Sequence, residues 1–147
     1  VRLVIGGPPD TSADADTLRA TVERLGVQDR VHLDLRFLDR LEYARYVNGA
    51  SAVASLPFDE ESFSYVAMEA ATAAKPIIST NDSGGVLGLA RHGTTGWVAA
   101  PNAKALAQVM ADVYASAERT RELGVAARAC WEGFNITWPA TAQALLS

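Results

Sequence analysis

One pattern constrains this chain more than any other. Short β-rich apolar runs, each closed by glycine or proline, alternate with stretches of helical spacing along nearly its whole length. Val1-Arg2-Leu3-Val4-Ile5 stops at Gly6-Gly7-Pro8-Pro9 and reads as a strand. Asp14 or Asp16 then caps a helix carrying Leu18, Val22 and Leu25, with Gly26 as its stop. Val31, Leu33, Leu35 and Phe37 alternate with His32, Asp34 and Arg36, which predicts a second strand with one wetted face, as at a sheet edge. Leu41 to Val47 reads as a short helix and Ser51 to Leu56 as a third strand, stopped by Pro57. Phe63 to Ala74 is helical, Pro76 to Thr80 is a fourth strand, and the Gly84-Gly85 turn leads into another short helix. Gly96 to Ala99 forms a fifth strand, Leu106, Val109, Met110 and Val113 mark one apolar helix face, and more helix fills the tail.

Such alternation implies right-handed crossovers. The predicted class is therefore α/β: a three-layer, Rossmann-like parallel sheet of about five strands with flanking helices. No internal repeat, low-complexity tract or linker divides residues 1–147, so one domain is expected. Ligands of open parallel sheets sit beyond the carboxyl ends of the strands, which directs attention to the loops after Ile5, Phe37, Leu56 and Thr80.

Composition narrows the function. With 49% hydrophobic and 20% charged positions in 147 residues, the chain reads as soluble and large enough for one core. A formal charge of −4 without any basic run disfavours general nucleic-acid binding. The single Cys130 excludes an internal disulfide and a cysteine-based zinc site, and reads as a buried, inert thiol. No apolar run approaches the roughly 20 residues that span a bilayer, and the N-terminus lacks the pattern of a secretory signal, so a cytoplasmic setting is expected. The chain starts at Val1 inside an expected strand, which suggests a fragment.

The loop after the third strand concentrates chemistry. Asp59, Glu60 and Glu61 crowd a strand-to-helix connection, and Glu69 follows eight positions after Glu61. Eight helical positions turn through about 800°, so two such carboxylates can face one cleft from different heights. Between them, the amides of Ser64, Tyr65 and Val66 fall in the first helical turn, where free donors and the helix dipole attract phosphate. A ligand with phosphate in its middle and hydroxyls at both ends fits, and a nucleotide sugar is one. Acids near a helix N-terminus also stabilise it by ~0.3–1 kcal/mol with no ligand at all.

The stretch Glu61 to Glu69, continued by Ala70, Lys75-Pro76-Ile77-Ile78, Gly84-Gly85 and Gly93-Thr94-Thr95-Gly96-Trp97, resembles the donor-binding domain of the retaining glycosyltransferase family 4, one half of a GT-B fold. Glu61, Phe63, Val66, Glu69, Ala70, Lys75 and Pro76 match its motif in register. Leu3 to Pro8, Leu25 to Val31, and a tail with Phe134 and Trp138 match as well. The resemblance implies that Glu69 holds the ribose hydroxyls and that Glu61 is the catalytic-site carboxylate, meeting hydroxyls of the donor sugar. The amides around Ser64 and Tyr65 would meet the diphosphate, with Phe63 and Val66 in the same wall, and Arg36 near the base. The nucleotide-diphosphate sugar is substrate, and neither cofactor nor metal is required. Transfer with retention then depends on electrostatic stabilisation of the leaving phosphate.

Departures from that pattern carry expectations of their own. Both motif glycines are serines, Ser62 and Ser64, and Gly88 stands where an acid commonly follows the Gly84-Gly85 turn. The family's first strand and helix, with an Arg and a Lys that grip the diphosphate, and its acceptor-binding N-terminal domain precede the point where Val1 stands. The fragment is thus expected to bind donor weakly and not turn it over, with the missing domain as its partner. The sheet is expected to close up as 2-1-3-4-5 or to be completed by a neighbouring chain, since exposed edges also favour self-association. Bacterial envelope polysaccharide or glycolipid assembly, at the inner face of the membrane, is the setting the family suggests. A noncatalytic, degenerate nucleotide- or protein-binding module is the alternative.

Remaining motifs read as structural. His32 and His92 suit surface or capping roles, Asn135-Ile136-Thr137 fits a glycosylation acceptor by coincidence, and Trp97, Trp131 and Trp138 suit the core or an interface.

Overall fold

A computed structural model describes residues 2–60 and 62–146, which divide into two compact units, one up to Gly49 and one from Ala50 onward. Unit 1 is a strand–helix–strand–helix run: β1 (Leu3–Gly6), α1 (Ser12–Arg24), β2 (Val31–Asp34) and α2 (Arg40–Gly49). Helix α1 starts earlier than Asp14 or Asp16 would set it. The Thr11 hydroxyl accepts the Asp14 amide at 3.2 Å while the Asp14 carboxylate accepts the Thr11 amide at 3.0 Å, a capping box that satisfies two donors at once. The expected stop holds: Gly26 has φ +64°, its amide donates to Glu23 and that of Val27 to Val22, a Schellman ending.

β1 and β2 pair in parallel from Leu3↔Val31 to Gly6↔Asp34. β2 stops there instead of continuing to Phe37, because its partner runs into Pro8 and Pro9, which have no amide to extend the ladder. The alternation holds in part: His32 is exposed, but Asp34, expected on the wetted face, is buried, bonded by Arg36 and Tyr46.

Unit 2 holds β3 (Val53–Ala54), α3 (Tyr65–Thr72), β4 (Ile77–Thr80), a 3₁₀ turn (Gly85–Gly88), β5 (Gly96–Ala99), α4 (Ala103–Ala115), α5 (Ala117–Gly133) and α6 (Trp138–Leu145). Its strands run parallel in the order β3-β4-β5. β4 is central and buried at all four residues. Successive side chains on a strand face opposite sides. Ile77 accordingly packs with Ala67, Ala70 and Ala71 of α3 and with Val86 and Leu89, whereas Ile78 packs with Trp97, Ala99, Val109 of α4 and Leu123 of α5. Helices thus cover both faces of this sheet, and each fully buried side chain such as Ile77 or Leu89 contributes roughly 1.5–3 kcal/mol.

The fold class is as the sequence predicts, with parallel strands and flanking helices. Among the described residues, unit 1 holds the ladder β1-β2 and unit 2 the ladder β3-β4-β5. β3 extends over two residues, with Val53 and Ser55 donating their amides to Pro76 and Ile78, before Pro57 diverts the chain. The tryptophans part company, with Trp97 buried, Trp131 half-buried and Trp138 88% exposed on a helix that buries no residue.

Candidate functional site

The site assembles where β3 and β4 end. Ser55 follows β3 and is buried; its carbonyl accepts the Ser79 hydroxyl of β4 at 2.8 Å, which ties the two strand ends together. The Ser55 hydroxyl donates to Ser64 Oγ at 2.8 Å, and Ser64 Oγ also accepts the Ala67 amide at 3.4 Å. Ser64 is therefore the N-cap of α3, which begins at Tyr65, two residues later than the sequence pattern starts it, and only Tyr65 and Val66 of the three predicted amides lie in the helical turn. The serine's two acceptor sites are occupied within the fold, leaving its own proton as the one remaining donor.

Asp59 and Glu60 are clasped to the turn after β4. The Asp59 amide donates to Asp82 at 2.7 Å, and that of Gly85 to Glu60 at 2.6 Å, with Glu60 bridged to Gly84. Gly84 is obligatory: its φ is +69°, and a Cβ there would lie 2.3 Å from the Glu60 carbonyl oxygen. The Glu60 carboxylate turns back onto Ser62, accepting its amide at 3.3 Å and its hydroxyl at 3.0 Å. Both serines that replace motif glycines thus spend hydroxyl bonds inside the loop.

What remains outward is narrower than the sequence pattern proposes. Among the described residues, the amides of Tyr65 and Val66 have no acceptor, because the Ser64 side chain satisfies only Ala67. Tyr65 and Glu69 share the exposed face of α3, four residues or about 6 Å of rise apart, opposite the buried Ala67, Ala70 and Ala71. The Glu69 carboxylate is exposed and makes no hydrogen bond or ion pair with a described residue. Val66 is half-buried beside it, and Phe63 turns inward onto the core. Glu61, the predicted catalytic carboxylate, lies outside the described residues. No group of described His, Cys, Asp and Glu residues is arranged to hold a metal ion. A groove of about 420 Å³ lined by Lys75, Pro76, Tyr114 and Arg121 lies beside the start of β4, away from this end of the sheet.

Arg36 belongs to unit 1, where it is a clamp. Its Nε meets Asp34 at 2.9 Å, and its two terminal nitrogens meet both Glu42 oxygens at 2.9 and 2.7 Å. The bonds to Glu42 hold the guanidinium firmly charged, and the same bonds, with the Asp39 amide, keep the Glu42 carboxyl below the usual range. Tyr46 donates its hydroxyl to Asp34 at 2.8 Å, which pushes its ionisation up, and His32 Nε2 lies 3.3 Å from the same hydroxyl. Reading the sequence alone misses this network. Its traceable signal is Asp39-x-x-Glu42, a capping box in which Asp39 accepts the Leu41 and Glu42 amides and Glu42 accepts that of Asp39.

Among the described residues, α3 amides without acceptors and a glutamate without a partner lie at the carboxyl end of the parallel strands of a Rossmann-like unit, the end at which open α/β sheets take ligands. The chain belongs to the glycosyl transferases of group 1, whose family model matches residues 1–129. It is similar to the D-inositol 3-phosphate glycosyltransferase of Corynebacterium glutamicum (strain R), with 31% identity over 147 residues, 99% of this chain and 34% of that protein. Its counterpart in Nocardia farcinica is 30% identical over 98% of this chain and 31% of its own length. The chain thus spans about a third of the length of the curated relatives it matches. Among solved structures it resembles sucrose-phosphate synthase from Thermosynechococcus elongatus, with a TM-score of 0.78, 27% identity, and coverage of 97% of this chain and 36% of the other. Anabaena HepE in complex with UDP-glucose shares the fold, with a TM-score of 0.79 and 24% identity over 90% of this chain and 36% of that one.

Proposed function

We propose that this chain is the donor-binding, C-terminal domain of a retaining family 4 glycosyltransferase, which transfers a sugar from a nucleotide-diphosphate sugar to an acceptor hydroxyl. The observation that carries this reading is the pair of acceptorless amides at Tyr65 and Val66, set at the strand ends of a chain of the group 1 family. In this reading those amides take the diphosphate, whose charge they and the α3 dipole offset without a metal. Glu69 takes the ribose hydroxyls, and Glu61 meets the donor sugar. The Ser64 proton is one further donor to phosphate. Arg36, held by two carboxylates, is assigned to shaping the loop after β2 more than to gripping the base. Support comes from HepE, a relative in fold whose structure was solved with UDP-glucose, and from the glycosyltransferases that share about 30% of this sequence.

The domain works beside an acceptor-binding domain, on the cytoplasmic side, and on its own binds donor weakly without turning it over. Calorimetry on the intact protein with UDP, GDP and ADP, with and without attached sugars, tests the assignment. Replacing Glu69 by Ala removes hydrogen bonds between a charged acceptor and the ribose, so the favoured nucleotide should bind about tenfold more weakly. Unchanged affinity would defeat the ribose assignment. Nucleotide binding with no transfer by the intact protein would favour the degenerate, noncatalytic module.

A further inference from the structure

The family motif places Phe63 beside the donor, yet here its ring is directed elsewhere. It packs against the buried cluster of Ala67, Ala70, Ile77 and Val86 and sits edge-on to Phe134, with ring centroids 5.4 Å apart and planes at 63°. Gly88, the position without its usual acid, lies under the same ring. A Cβ at Gly88 would come within 2.8 Å of Phe63 Cε1 and 3.0 Å of Cζ. The missing acid and the inward ring are therefore one feature, since the ring takes the volume that a side chain at 88 would need. The next residue in the chain is Ser64, whose cap determines which α3 amides stay free.

We propose that Phe63 is a positioning residue: its ring, seated on bare Gly88 and braced by Phe134, holds the Ser64 cap and so aims the Tyr65 and Val66 amides, without touching ligand itself. This rests on the α3 terminus being the diphosphate site. Edge-to-face aromatic packing and close-packed interiors make such a seat stiff, so a single added methyl group displaces it.

The test uses Gly88→Ala and Phe63→Leu, alone and combined, in the intact protein. Titration with UDP, GDP and ADP is paired with amide exchange at residues 62–67. Gly88→Ala displaces the ring and Phe63→Leu removes it, so each should weaken the nucleotide that the wild type binds by about tenfold and speed exchange at Ala67. Because both act through the one ring, the double variant should bind within about threefold of Phe63→Leu alone. Unchanged affinity in Phe63→Leu, or two losses that add in the double variant, overturns the proposal. If the wild type binds none of the three nucleotides, the donor reading fails instead, and exchange decides the rest. Faster Ala67 exchange in Phe63→Leu that Gly88→Ala does not increase further then upholds the positioning role, and exchange indifferent to Phe63→Leu overturns it.

Discussion

Replacing Ser64 by Ala removes one oxygen that closes two bonds. At 3.4 Å the cap on the Ala67 amide is long, so its loss belongs at the lower end of the N-cap range, about 0.5–1 kcal/mol. The second loss falls on Ser55, which is 8% exposed and donates its hydroxyl to Ser64. Leaving that donor unsatisfied costs about 1 kcal/mol at the low end for a buried hydroxyl. Together they amount to about 2 kcal/mol, or roughly thirtyfold in the local opening equilibrium. Native-state exchange at the Ala67 amide reads this directly. Ser64→Gly restores the family residue, and because glycine is a tolerable N-cap most of its cost is the Ser55 term, about 1 kcal/mol. In the double variant Ser55→Ala/Ser64→Ala no orphaned hydroxyl remains, so the two losses should fall short of additivity by about 1 kcal/mol. Ala67 protection unchanged in Ser64→Ala, or strict additivity in the double variant, would refute the linkage between strand end and helix cap.

Two further outcomes follow from the same geometry. The Glu42 carboxyl should titrate below its usual 4.5, chiefly through its bond from Arg36, and NMR of its carboxyl carbon should move back toward that value in Arg36→Ala. Because the folded value is the lowered one, the clamp contributes stability above the unfolded value and loses it as pH falls through the folded one, so the loop after β2 should loosen only in acid. Gly84→Ala drives a Cβ against the Glu60 carbonyl in a left-handed conformation and should cost about 2 kcal/mol or more in urea unfolding, with the 57–63 loop released; a wild-type midpoint would contradict the clasp.

Parts of this fold were legible because they depend on local chemistry. β4 and β5 lie where their apolar runs put them, Gly26 ends α1, and the face with Val109 is the one that α4 buries. Boundaries set by partners were not legible. Thr11 outcompetes Asp14 for the cap because Asp14 can return the bond. β2 stops at four residues because its ladder ends where β1 ends, which no residue of its own announces, and β3 spans two residues although β4 runs on to Thr80. In the site, Glu69 and the α3 terminus could be read from spacing, whereas the bond of Ser62 and the inward turns of Ser64 and Phe63 depended on Glu60, Ser55 and Gly88.

The sequence by itself determined the α/β class and membership of the group 1 glycosyl transferases, and it marked the Glu61–Glu69 stretch as the one to test for a phosphate-bearing ligand, since periodicity, glycine placement and motif order are local properties. Only the tertiary structure decided that β4 is the central strand of its unit, that Arg36 is committed to Asp34 and Glu42, and that the Ser64 and Ser62 hydroxyls are engaged by Ser55 and Glu60. Those outcomes turn on which groups come within bonding distance across the chain, and a hydrogen bond or a steric seat exists only once both of its partners are in place.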